Sequence, residues 1–167
     1  MVNVLERALA KKPEDRYESA EQLSNDLLIA IHRLRDTETL VNESVKGLDC
    51  FVQGARDHFR ILFPLPGDRL QEVLVEVNEG KNHDPYLSVF SVCAPAEPAY
   101  FEYALKLNAR LTYGSLSIRD VLGSPMFVMS RTFARDRVRT EDIRDALIEI
   151  SRRADRIEQQ LTQLDQY

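Results

Sequence analysis

Three histidines, two cysteines and a few strand serines are the residues of this chain whose types could do chemistry. A metal site needs such ligands to converge, and a nucleophile needs a base beside it. His32, His58 and His83 have no carboxylate or cysteine at a spacing that makes a metal site by itself. His83 and Asp84 are adjacent, but they sit in the turn EGKNHDP, where polar residues are common anyway. Cys50 and Cys93 form no disulfide framework, and Cys93 ends an apolar segment, which reads as a small core residue. Ser115, Ser117 and Ser130 have no His–Asp partner nearby in sequence. GDRLQE and ARDRVRTED set acids beside bases, as solvated loop tips do. No nucleophile or phosphate-cradling loop emerges, and no metal or cofactor is expected.

The chain has 27 acidic and 22 basic residues, a net charge of −5. That balance works against a general nucleic-acid surface, although Arg131, Arg135, Arg137 and Arg139 are gathered in one segment. The apolar runs are far shorter than the ~20 residues of a membrane span, and the N-terminal residues carry no secretory pattern. No membrane crossing is expected, and the expected location is cytoplasmic. A chain of 167 residues can bury a core without staples.

The elements that position these residues follow from periodicity. Residues 2–10 and 20–35 have helical spacing, with Leu23, Leu27, Ala30, Ile31 and Leu34 on one face. Ser19 and Gln22 form a capping box after the loop KKPEDRYE. Residues 36–47 are polar and weakly periodic, and read as a linker, a frayed helix or a lead-in helix. From residue 48 onward the period becomes alternating. HFRILFPL and LQEVLVEV predict a hairpin, YLSVFSVCA a third strand, and GSLSIRDV with PMFVMSRTF two more, with a helix at 99–111 between the third and fourth. Thr140 is expected to cap a closing helix. In it Ile143, Leu147, Ile150, Ala154, Ile157, Leu161 and Leu164 form a heptad seam. The seam predicts packing either within the chain, against the helix at 20–35, or with a second copy as a homodimer, Ile150, Ala154, Ile157, Leu161 and Leu164 being the interaction candidates.

The expected fold is thus α+β, a five-stranded antiparallel sheet in the order α-β-β-β-α-β-β-α, preceded by a helical segment at 1–35. That order, with YALKLNARLTYGSLSIRD in its middle and ALIEISRRADRIEQQL at its close, resembles the type III secretion chaperone-like fold of YbjN-type domains over residues 48–165. The resemblance implies a binder of protein segments.

VLERALAKKPEDRYESAEQLSNDLLIAI resembles the end of a bacterial eukaryotic-like Ser/Thr protein kinase domain. The KxPxxR loop with Pro13 and Arg16, then the helix opened by Ser19, carry the likeness. The resemblance implies that Arg16 pairs with the glutamate of a distant Ala-Pro-Glu motif, a task suited to a fork that holds a carboxylate by two bonds. The Gly-rich loop, the strand lysine, His-Arg-Asp, Asp-Phe-Gly and Ala-Pro-Glu are absent from these 167 residues. Neither ATP binding nor catalysis by this chain is therefore expected. The resulting expectation is a noncatalytic C-terminal regulatory or protein-interaction region of such a kinase. The alternative is a free-standing secretion-chaperone-like binder of an extended segment.

Overall fold

The computed structural model describes residues 2–34, 36–80 and 84–162. Helix α1 (Val2–Ala8) leads through a single 3₁₀ turn at Pro13–Asp15 to α2 (Ala20–Leu34). The capping box forms with one adjustment. The Gln22 amide donates to Ser19 Oγ at 3.2 Å, while the Gln22 carbonyl oxygen accepts from the Glu18 amide at 3.4 Å rather than from Ser19. The two helices pack on each other, and the Arg7 guanidinium lies over the Tyr17 ring at 4.5 Å. On the face expected to be apolar, Leu23 and Leu27 are half-buried and Ala30 is buried, but Ile31 is exposed; the Leu34 side chain lies outside the description.

The polar stretch after it is a helix, α3 (Thr37–Ser44). Asp36 caps it, accepting from the Thr39 amide at 2.6 Å, and that hydrogen bond holds the Asp36 carboxyl below its ordinary range. Leu40 and Val41 are fully buried, so two apolar residues in eight suffice to anchor the helix.

Among the described residues six strands follow: β1 (Phe51–Ala55), β2 (His58–Leu65), β3 (Arg69–Glu79), β4 (Pro85–Pro95), β5 (Ser115–Val121) and β6 (Ser124–Ala134). The sheet order is β1-β2-β3-β4-β6-β5, antiparallel throughout. The α+β class holds, but the sheet has one strand more than the five expected. β1 escapes periodicity because it is an edge strand with only Val52 half-buried. Its Gly54 has φ +114, and a Cβ there would stand 2.2 Å from the His58 carbonyl oxygen, so no other residue fits without backbone movement. Between β4 and β5 the helical turn is shorter than expected. A 3₁₀ turn at Pro98–Tyr100 precedes α4 (Phe101–Asn108).

The closing helix α5 (Thr140–Thr162) lies across β3, β4 and β6. Thr140 is its first residue rather than its cap. The Arg139 amide donates to the Asp142 carboxylate at 3.1 Å, and the Arg139 guanidinium holds the same carboxylate with two bonds of 3.0 Å, which lowers the Asp142 pKa. The core lies between α5 and one face of the sheet, where Phe59, Ile61, Val73, Val75, Leu87, Val89, Phe127 and Met129 meet Ile143, Leu147 and Ile150. α3 docks on the N-terminal half of α5. Ser44 Oγ lies 2.7 Å from the Leu40 carbonyl oxygen and 3.0 Å from that of Thr140. Arg144 donates to the carbonyls of Ser44 and Lys46, satisfying the orphan acceptors at the end of α3.

Candidate interaction surfaces

The three residues of the kinase-like motif lie together on the outside. Pro13 opens the 3₁₀ turn, Ser19 caps α2, and Arg16 is exposed between them. Proline's fixed φ suits the first position of a helical turn, where its missing amide donor is not needed. Arg16 closes the loop on itself: its Nε donates to the Ala10 carbonyl at 2.7 Å. Along the two helices and their connecting loop Leu5, Leu9, Leu28, Ile29 and Ile31 are exposed.

The heptad seam is elsewhere. Ile150, Ala154, Ile157 and Leu161 are all buried and belong to the core cluster beneath the sheet. The expectation that they offer a face to a second copy, or to the helix at 20–35, is corrected here. The sheet is wide enough to cover a seam of this length, and α5 spends its apolar stripe on β3, β4 and β6. Tyr103 of α4 donates to Gln160 and Arg69 of β3 pairs with Asp155, pinning the distal half from both sides. Leu164 lies outside the described residues, as does His83; the His32 side chain is likewise outside them.

A second exposed surface lies at the β5 edge of the sheet. β5 is an edge strand, and Asn108 at the end of α4 plugs part of its free edge. The Asn108 amide nitrogen donates to the Leu116 carbonyl and its oxygen accepts from the Leu116 amide, both at 2.8 Å, as a neighbouring strand would. Alternation along the ladder turns the amides and carbonyls of Ile118 and Asp120 to the same side. Beside that edge runs a groove of about 340 Å³ between α4 and β5, walled by Phe101, Leu105 and Ile118. Leu105 is 72% exposed. The sequence held the signal in Phe101 and Leu105, four apart on one helix face, but helical spacing alone reads such a pair as core.

The other chemistry-bearing residues are scattered. Cys93 is buried, and desolvation pushes its thiol up to about 12. Cys50 is half-buried, and its thiol too is raised by burial. His58 is mostly exposed, 4.0 Å from Glu76. Among the described residues no three His, Cys, Asp or Glu side chains gather in a group that could hold a metal ion. The clustered arginines are engaged within the chain. Arg131 lies over the rings of Tyr113 and Phe133, Arg135 donates to Thr37, and Arg139 holds Asp142. No described helix is long and apolar enough to cross a membrane. No protein-family model matches this sequence, and no curated protein matches it either.

Proposed function

We propose that this chain is a noncatalytic regulatory and protein-interaction region following the catalytic domain of a bacterial Ser/Thr protein kinase. In this reading α1, the Pro13–Arg16 loop and α2 complete the kinase lobe, and the sheet domain receives a protein partner. The observation that carries it is the apolar surface of the α1–α2 hairpin. Leu5, Leu9, Leu28, Ile29 and Ile31 are exposed there, and Ala30 is the only buried apolar side chain among the described residues of the two helices. Five large apolar side chains left exposed on two short helices and their loop are what a hairpin built to be covered by another protein surface would present. Arg16, exposed in the connecting loop, stands ready for a carboxylate outside the chain. Phosphoryl transfer then belongs to the preceding lobe, since none of its phosphate-holding motifs occurs in these residues. The test is an immunoblot of source-cell extract with antibody raised against the chain. A band far above 19.2 kDa, whose tryptic peptides include Asp-Phe-Gly, supports the reading, and a sole band at 19.2 kDa refutes it.

The β5 edge favours a second reading, a binder of extended protein segments. Asn108 already treats Leu116 as a strand partner, which leaves the bonds of Ile118 and Asp120 for an added strand. A second copy fits poorly. Two β5 edges meeting antiparallel through these bonds place Arg119 opposite its own copy, and like charges directly opposed are destabilising. A peptide alternating valine with glutamate sets valines against Ile118 and glutamate near Arg119. In NMR titration it should shift Leu116–Val121, and Ile118→Pro should abolish the shifts; unmoved resonances would sink this reading.

A further inference from the structure

Along the free edge of β5, Leu116 alone has its outward amide and carbonyl engaged among the described residues, and Asn108 engages both. The direction in which each residue bonds follows from the turn. Leu122–Gly123 closes β5 onto β6 at Val121↔Ser124, so Ser115, Ser117, Arg119 and Val121 bond inward to β6, while Leu116, Ile118 and Asp120 face outward. Asn108 reaches Leu116 because α4 ends there. Its carboxamide sets a donor beside an acceptor, as a paired strand residue does, and the helix that carries it is fixed by Phe101, whose ring stands edge-on to Phe127 at 6.2 Å. The blockade therefore has a fixed position.

The stretch left open runs from Ser117 to Val121, between Asn108 and the turn, and its chemistry changes from one position to the next. Ile118 is exposed beside the groove walled by Phe101 and Leu105, so the residue set against it is aliphatic. Asp120 lies on the same face. One of its carboxylate oxygens accepts from the Gly123 amide at 2.9 Å, and among the described residues no cation pairs with it, so the residue set against it is basic. Arg119 lies on the opposite face. Its guanidinium is 4.9 Å from the ring of Phe90, two strands away, which leaves the place beside it to a polar residue. Glu102 and Lys106 on α4 pair with each other and favour neither sign.

We propose that Asn108 is a register stop for a partner segment of the form basic–polar–aliphatic, which adds antiparallel to β5 with its basic residue against Asp120 and its aliphatic residue against Ile118. This rests on the reading of β5 as a strand-adding edge. The antiparallel sense follows the rest of the sheet, in which every pairing is antiparallel. The register follows from parity and from the plug. A slip of one residue turns the aliphatic side chain away from the groove, and a slip of two toward Leu116 meets Asn108. Strand pairing by the partner therefore ends at Ile118.

The probes are two end-capped peptides, Thr-Lys-Thr-Val and the longer Thr-Lys-Thr-Val-Thr-Val, titrated into the full chain and followed by amide NMR. Both should shift Ile118–Val121 of the parent and bind it equally, because the added residues find Leu116 taken. Asn108→Ala should bind the longer peptide about threefold or more tighter than the shorter one, with shifts spreading to Leu116, since two backbone bonds become free to form. Glutamate in place of the peptide's lysine should weaken binding by about threefold or more. The parent comparison and the lysine exchange decide the matter even if Asn108→Ala fails to fold. Tighter binding of the longer peptide by the parent, equal binding of both by folded Asn108→Ala, or indifference to the lysine exchange overturns the register stop and leaves strand addition at β5 standing. Unmoved resonances at Ile118–Val121 with every peptide remove strand addition itself, and the register stop with it.

Discussion

Replacing Ile157 with alanine separates the two fates open to the heptad seam. Ile157 is 4% exposed and packed in the core beneath the sheet. The change removes three carbon atoms, worth about 0.8 kcal/mol each in lost transfer free energy. The cavity left behind adds to this, because β3, β4 and β6 form a stiff floor that relaxes only partly; large-to-small changes of this type cost about 2–5 kcal/mol in total. A loss of about 3 kcal/mol is expected. In urea unfolding followed by circular dichroism, the midpoint should fall by roughly 1–3 M at an unchanged slope. If the seam is internal, the parent midpoint is also independent of protein concentration across a roughly hundredfold range. A midpoint that climbs with concentration, or a loss under about 1 kcal/mol, would refute the assignment of Ile157 to the core of a single chain.

Gly54→Ala should destabilise the β1–β2 hairpin by about 1–3 kcal/mol, read by thermal unfolding, because both φ +114 and the His58 carbonyl oppose a Cβ. Arg16→Ala should move stability by no more than about 1 kcal/mol, since the side chain is exposed and holds only the Ala10 carbonyl. A drop of several degrees in the melting temperature would show that Arg16 matters to the isolated chain. Asp142 has a folded pKa below its unfolded value because of Arg139, so its contribution is present above about pH 4 and fades as pH falls through the lower, folded value. Asp142→Asn should therefore cost up to about 1 kcal/mol at pH 7, a gap that closes on acidification; a gap that widens in acid would reverse the sign of the argument.

The interior strands were legible because burial on one face writes itself as alternation. Phe59, Ile61 and Phe63 on β2, and Val73 and Val75 on β3, are buried as their spacing required. β1 was not legible for the opposite reason: it buries almost nothing, and pairing by backbone bonds alone leaves no side-chain pattern. The seam on α5 was read correctly as a stripe, but a stripe states only that something covers it. Sequence spacing is the same whether the cover is a sheet, a neighbouring helix or a second molecule. The α4–β5 groove and the open stretch of the β5 edge stayed invisible because both are made by where α4 ends and β5 is left without a neighbour. That is decided by the order of strands in the sheet and one asparagine carboxamide, not by any local propensity.

The clasp between α3 and α5 bears on how the domain opens. Ser44 and Thr140, joined through a hydroxyl and a carbonyl, lie 96 positions apart along the chain. Closing a flexible loop of that length unaided costs roughly 4 kcal/mol in chain entropy. The bonds from Ser44 and Arg144 are too few to meet that cost by themselves. They become favourable only once the six strands have already brought positions 44 and 140 near each other. Leu40 and Val41 likewise need the assembled core to bury against, so we expect α3 to close last and detach first, a short latch on a sheet assembled before it. In native-state hydrogen exchange the amides of Leu40–Ser44 should lose protection at lower denaturant than those of β3 and β4. A common exchange midpoint for both would mean that the latch and the sheet open as one unit.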